Sequence, residues 1–247
     1  MKAIILAAGK GTRFASEKTK VLHCIAGKPL VLHVVEKAKM LGVQQPIVVL
    51  GYQGEAVREA LQHVPGVQFA WQREQLGTGH AVLMALPLLG GDEDEVLILY
   101  GDVPCLALAT LQHLRIVHET AKNTLTLLTA VLDNPKWYGR IIKDNKKQLL
   151  AIREAKDANA EELRITEINS GIMLVQSSFL RTALLHLVSK NKQGEYYLTD
   201  IVEIAVREGR QVGTVLVDDP REIQGVNSLE ELEEAQGIVA QQIGEAA

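Results

Sequence analysis

The sequence predicts an α/β fold: a mostly parallel central sheet flanked by helices, with antiparallel additions in the second half. Three observations predict it. Apolar runs alternate with amphipathic stretches as far as residue 131, which is the pattern of right-handed βαβ crossovers. Glycine-rich loops follow the apolar runs that end at residues 7, 70 and 100, where ligands of such sheets collect. Beyond residue 140 the strand-like runs are short and separated by polar turns such as KDNKKQ, which suits antiparallel strands covering one side of the crevice.

Taken in order, residues 2–7 read as a buried strand. Residues 29–41 read as a helix, with proline near its start and Gly42 just past its end. Strands are expected at 46–50, 67–70, 96–100 and 124–131, and helices at 55–62, 78–86 and around 107–120. The second half supplies strands at 140–143, 149–153, 168–176 and 212–217 and helices at 178–188, 198–208 and 228–242. The chain divides approximately into a nucleotide-binding half (1–120), a half that adds a substrate pocket (121–227) and a C-terminal helix (228–247), all within one domain. The acidic stretch GGDEDE at 90–95 reads as a solvated turn.

Composition narrows the function. Lys and Arg number 26 against 30 Asp and Glu, a net charge of −4 with 4% aromatic residues. That balance, without a basic stripe, opposes nucleic-acid binding, so any phosphate ligand must be met by local charge. Cys24 and Cys105 lack metal or disulfide spacing and read as thiols in a reducing compartment. The N-terminal apolar run is too short for a signal peptide and no run approaches a membrane span. A cytoplasmic protein is expected.

The stretch LAAGKGTRFASEKTKVLH, Leu6 to His23, combines glycines with cations. It is neither a P-loop, whose four-residue spacing before Gly-Lys-Ser/Thr is absent, nor a dinucleotide fingerprint, whose third glycine would fall at Phe14. Gly9 and Gly11 still suggest a tight turn with exposed amides, to which Arg13, Lys18 and Lys20 add permanent charge. Asp102, in GDVP after a strand, presents a carboxylate where Mg²⁺ could be held by one or two protein oxygens plus phosphates. A capping role before the next helix stays open. Asn227 or Ser228 would cap the last helix. In QREQLGTGHA, Gln72 and Gln75 carry the donors and acceptors a uracil edge demands, and Gly77 and Gly79 admit a close backbone.

LAAGKGTRF with KVLH, QLGTGHA, LYGDVP, YGRI, EAKDA, EINSGI, QGEYYLTDI and GVNSLEEL stand in one order along the chain. Together they resemble the uridylyltransferase domain of bacterial N-acetylglucosamine-1-phosphate uridylyltransferases, over residues 3 to about 235. The resemblance implies a Rossmann-like nucleotidyltransferase fold and an enzyme that joins UTP to N-acetylglucosamine 1-phosphate with Mg²⁺, releasing UDP-N-acetylglucosamine, a cell-wall precursor, and pyrophosphate. It implies catalytic roles on the phosphates for Arg13 and Lys20. Leu6, Ala7, Ala8, Gly9, Gly11, Gln72, Gln75, Gly77 and Thr78 would meet the nucleotide, with Gln72 reading the base. Tyr100, Gly139, Glu154, Asn169, Tyr196 and Thr199 would surround the amino sugar, and Asp102 and Asn227 would hold the metal. Since a phosphate monoester dianion needs no general base to attack phosphorus, His23 and His80 are expected to be structural.

Two residues depart from the family pattern: Thr19 stands where a proline usually precedes the catalytic lysine, and Trp137 where a glycine is common. The first predicts a less rigid loop, the second a bulky ring beside the sugar. No hexapeptide repeat of an acetyltransferase β-helix follows, so no acetyl transfer and no β-helix trimer are expected, and a monomer or weak dimer is the default. The alternatives are a pyrophosphorylase for another sugar 1-phosphate or nucleotide, and a catalytically silent sugar-nucleotide sensor.

Overall fold

The computed structural model describes residues 1–11, 14, 18–91 and 94–245. The chain runs through β1 (Lys2–Ala7), a 3-10 turn (Lys20–Leu22), a short ribbon of β2 (Cys24–Ile25) and β3 (Lys28–Pro29), α1 (Leu30–Met40), β4 (Ile47–Leu50), α2 (Gly54–Leu61) and β5 (Gln68–Trp71). Next come α3 (Thr78–Ala85), β6 (Glu95–Tyr100), α4 (Leu108–Ala121), β7 (Leu125–Val131), β8 (Arg140–Lys143), β9 (Leu149–Arg153) and β10 (Glu167–Gln176). It closes with α5 (Ser177–Leu185), α6 (Asp200–Arg207), β11 (Val212–Leu216) and α7 (Leu229–Glu245). Among the described residues no helix is long and apolar enough to cross a membrane.

One sheet runs in the order β11-β7-β10-β6-β1-β4-β5, with the β8–β9 hairpin attached to β10. β1 is parallel to both β4 and β6, and five of its six residues are buried. This is why the strand is apolar on both faces rather than alternating. Its alternate residues divide between two cores. Ala3, Ile5 and Ala7 pack with Val31, Val35, Leu61 and Leu111 of α1, α2 and α4; Ile4 and Leu6 pack with Val82, Phe179, Leu180 and Val202 of α3, α5 and α6. The period-2 alternation of a strand thus builds a three-layer sandwich.

The antiparallel element expected at 168–176 is part of the sheet itself. β10 is inserted between β6 and β7, antiparallel to both, and its residues Asn169 to Gly171 line the crevice. Its register with β7 shifts between Asn169 and Met173, and at this irregularity Gly171 takes φ +83°. The bulge re-aims residues 169–171. Among the described residues the β8–β9 hairpin lies off the main path of the sheet.

α7 closes the molecule by packing Ala235 and Val239 against Phe14, Ile25, Leu30 and Cys105. Its start answers the capping question. The Glu231 amide donates to Ser228 Oγ at 3.2 Å, and Glu231 Oε2 accepts the Asn227 amide at 2.6 Å. This is a capping box shifted by one residue on the return bond. The cap is Ser228, and the Asn227 side chain bonds elsewhere.

Candidate active site

β1 and β6 lie side by side with Leu6 opposite Tyr100, so the loops leaving their carboxyl ends open on the same edge of the sheet. The Gly101 amide donates to Leu6 O at 2.9 Å, and the Val226 amide to Asp102 O at 2.9 Å. The first ties the two strand ends together, and the second brings residues 225–227 beside Asp102. Lys20 Nζ donates to Asp102 Oδ2 and, at 3.1 Å, to Asn227 Oδ1. The lysine side chain is 18% exposed and the aspartate 11%, so this is a partly desolvated charge pair. Gly11, at φ +58°, lies over the Lys20 stem: a Cβ there would stand 3.2–3.3 Å from three of its methylenes. Leu6, Ala7 and Ala8 are buried at the strand end, while Gly9 is exposed with nothing within 4 Å of its missing Cβ. Arg13, expected on the phosphates, lies outside the described residues, as do Asp92 and Glu93 of the acidic stretch.

The second glycine loop is closed by QGEYYLTDI. The Tyr196 amide donates to Leu76 O and Tyr196 O accepts the Gly79 amide, both at 2.8 Å, and Thr78 Oγ1 accepts the Leu198 amide at 3.0 Å. Gly77 sits at φ +108°, where a Cβ would meet Tyr196 O at 2.6 Å and Tyr196 N at 2.8 Å. Gly77→Ala is therefore expected to cost about 2 kcal/mol or more, from left-handed strain and overpacking together. Urea denaturation checks this, and a loss under about 0.5 kcal/mol would mean that the two segments part easily. Gln72 is only 3% exposed. Its Nε2 donates to Gly77 O at 2.9 Å and meets His80 Nδ1 at 3.1 Å, and Gln75 Nε2 donates back to Gln72 O at 3.3 Å. His80 is thus a partner of Gln72 within the loop.

Lys20, Asp102 and Asn227 share one cavity of about 540 Å³ with Thr78, Tyr100, Gly139, Glu154, Asn169 and Thr199. Glu154 Oε1 accepts the Thr199 hydroxyl at 3.0 Å. Burial pushes the Glu154 carboxyl above its ordinary range; the Thr199 bond opposes this, and Asp200, Asp157 and Glu195 add to it. Asn169 Oδ1 accepts the Gly171 amide at 3.0 Å, and the Asn169 amide donates to Gly139 O at 2.9 Å. Gly139 has no room for a side chain, since its Cβ would lie 2.9 Å from Ile152 and 3.4 Å from Glu154 Oε1. Gly171 lies against the Tyr100 ring, 2.5 Å from where its Cβ would be.

Tyr196 is not among the residues lining this cavity, although Tyr197 is. Tyr196 serves the loop through its backbone, and a reading of the motif could not tell which of two adjacent tyrosines faces inward. Trp137 does line the cavity, yet it is 72% exposed, so its ring does not fill the space. Its turn is pinned from below by buried Arg140, which donates to Tyr138 O and, at 3.3 Å, to Lys136 O.

The site's donors fit a hard divalent cation. Asp102 Oδ2 and Asn227 Oδ1 already converge on one positive centre, the Lys20 ammonium. One carboxylate and one amide oxygen are what a Mg²⁺ completed by water and phosphate oxygens asks of a protein. Among the described residues no cluster of three or more His, Cys, Asp or Glu residues could hold a metal by itself.

Residues 3–163 match the model of the MobA-like NTP transferase domain. The chain is 46% identical over 237 residues to the bifunctional protein GlmU of Heliobacterium modesticaldum, covering 96% of this chain and 51% of that protein. It is 46% identical to GlmU of Clostridioides difficile over 99% of this chain and 53% of that one. For Desulfotalea psychrophila GlmU the identity is 45%, over 93% and 67%. The chain thus spans about half the length of most of these relatives. In three dimensions it superposes on a UDP-glucose pyrophosphorylase complexed with UDP-glucose, with a TM-score of 0.75, 18% identity and 98% coverage of both chains. A putative glucose-1-phosphate thymidylyltransferase from Bacillus anthracis superposes with a TM-score of 0.73 at 18% identity, over 96% of this chain and 94% of that one. The fold is that of the sugar-nucleotide pyrophosphorylases.

Proposed function

The chain belongs to the MobA-like NTP transferase family, and from that premise we propose that it joins UTP to N-acetylglucosamine 1-phosphate, yielding UDP-N-acetylglucosamine and pyrophosphate. The observation that carries the reading is the meeting of Lys20, Asp102 and Asn227 in one cavity with Glu154 and Asn169. Phosphate-directed charge and polar groups suited to a sugar stand together there. The motif order read from the sequence supports the uridylyl donor and the amino sugar.

An oxygen of the sugar phosphate attacks the α-phosphorus of UTP in line. The new O–P bond forms as the bond from the α-phosphorus to the bridging oxygen breaks, and the electron pair leaves with pyrophosphate. The attacking dianion carries its own lone pairs, so no side chain has to remove a proton. Lys20, and Arg13 by its place in the loop, supply positive charge to the phosphate oxygens as charge shifts to the leaving group. Asp102 and Asn227 would hold a divalent cation, which would supply further positive charge for the transfer. Gln72 reads the uracil N3–H with its amide oxygen, since its nitrogen already donates within the loop. Glu154, Asn169 and Thr199 bond the sugar, and Glu154 does so as the carboxylate.

Glu154→Gln is expected to raise the KM for the sugar 1-phosphate about tenfold or more, from the 1.5–3 kcal/mol of a bond to a charged group. Because burial holds the Glu154 pKa up, the wild-type KM should rise on acidification earlier than an ordinary carboxylate allows. The Gln variant should lose that acid limb. KM measured against pH for both proteins checks it, and identical profiles would remove Glu154 from the sugar site.

The test of the function is pyrophosphate release with UTP, Mg²⁺ and N-acetylglucosamine 1-phosphate, beside the glucose and galactosamine derivatives and a metal-free control. Metal-dependent turnover selective for the first supports the reading. Turnover confined to another sugar moves the substrate assignment, and UTP binding without turnover identifies a silent sensor.

A further inference from the structure

The loop that carries Lys20 is gripped at both of its ends by a turn from the neighbouring strand. β4 runs beside β1 and is followed by a turn of Gly51, Tyr52 and Gln53. Gly51 lies so close to Ala8 that a Cβ would come within 2.6 Å of its carbonyl oxygen. The Tyr52 amide donates to Ala8 O at 3.1 Å, which holds the loop where it leaves β1. At the other end the Gln53 side chain reaches over, and its Oε1 accepts the Thr19 amide at 2.7 Å. Thr19 is 1% exposed and stands immediately before Lys20. Its φ of −56° and ψ of 140° are those of an extended lead-in to the 3-10 turn, whose first bond runs from the Leu22 amide to Thr19 O at 3.1 Å.

We propose that Gln53 is a positioning residue for the phosphate chemistry: by fixing the Thr19 amide it sets the direction in which Lys20 leaves the loop. Resting on the transferase reading, this names a residue that touches no phosphate and no metal. Three observations separate it from an ordinary surface glutamine. Gln53 is exposed, so its side chain had water as an alternative, yet it serves a buried amide. Its backbone is left-handed, φ +51° and ψ 32°, a conformation that a non-glycine residue adopts at a cost. That backbone opens α2, so the side chain is launched from a rigid element. The loss of rigidity expected from Thr19 in place of proline is thereby met from outside the loop: the amide that proline would lack is the one Gln53 holds.

Three substitutions in the whole chain test it. Gln53→Ala removes the acceptor. Gln53→Asn keeps an amide and tolerates the left-handed backbone, but is one methylene too short. Gln53→Glu keeps both reach and acceptor. The expected result is a fall in kcat of about tenfold for Ala and Asn, with the sugar 1-phosphate KM within about twofold and Glu within about threefold of wild type. In the substrate-free protein, exchange of the Thr19 amide should speed up about tenfold in Ala and Asn and not in Glu. Wild-type kcat in Ala and Asn, or an equal loss in all three, overturns the proposal. If the wild-type chain turns over no sugar, the exchange result still decides whether the grip exists, and only the transferase reading falls.

Discussion

Asp102→Ala is expected to lower kcat by about 10²–10³, the usual loss when one preorganised charge contact to a transferring phosphoryl group is removed. The chain should remain folded. The bond that anchors 225–227 is made by the Asp102 carbonyl to the Val226 amide, which the substitution keeps. What is lost is the carboxylate shared by Lys20 and the proposed metal. The Mg²⁺ concentration needed for half-maximal rate should therefore rise as kcat falls, which separates this variant from a generally weakened protein. Steady-state rates across a Mg²⁺ titration, with a thermal melt alongside, check both parts. Turnover within a factor of ten of wild type, at an unchanged Mg²⁺ requirement, would remove Asp102 from the metal site.

Much of this arrangement was legible in the residues, for local reasons. β1, β4 and β6 were readable because strands buried on both faces must be apolar throughout, and Gly42 marked the end of α1 because the chain there needs φ +98°. Gly77 announced a close approach, which the Tyr196 backbone makes, and Gly11 a turn, taken at φ +58°. The place of β10 was not readable. Its apolar run is equally consistent with an edge, a cover or a central strand, and only long-range pairing with β6 and β7 decides. The junction of Lys20 with Asp102 and Asn227 spans 82 and 207 positions, and no spacing rule reaches that far; it came from motif order. Gln53 left no trace at all. A glutamine in a turn is ordinarily solvated, and the bond that ties it to the lysine loop joins residues 34 positions apart.

Lys20→Met is expected to move two quantities in opposite directions. Turnover should fall by about 10²–10³ through loss of a phosphate contact, while the nucleotide-free protein should bind a divalent cation about tenfold more tightly. The second expectation follows from what Lys20 does without substrate. Its ammonium bonds the two oxygens that the cation would use, so metal binding must first break a charge-assisted pair worth about 1.5–3 kcal/mol, and each 1.4 kcal/mol is tenfold in affinity. Methionine matches the length of the aliphatic stem and competes for neither oxygen. On the proposed reading a bound triphosphate would offer the lysine a second anion, so that metal and phosphate binding would both draw Lys20 off Asp102. On that reading the lysine would serve as a counter-ion to Asp102 before the nucleotide binds and as a phosphate ligand afterwards. Mn²⁺ titration followed by water-proton relaxation, with and without UTP, reads this directly. Equal Mn²⁺ affinity in wild type and Lys20→Met would show that the pair is not what the metal displaces, even if turnover is lost as expected.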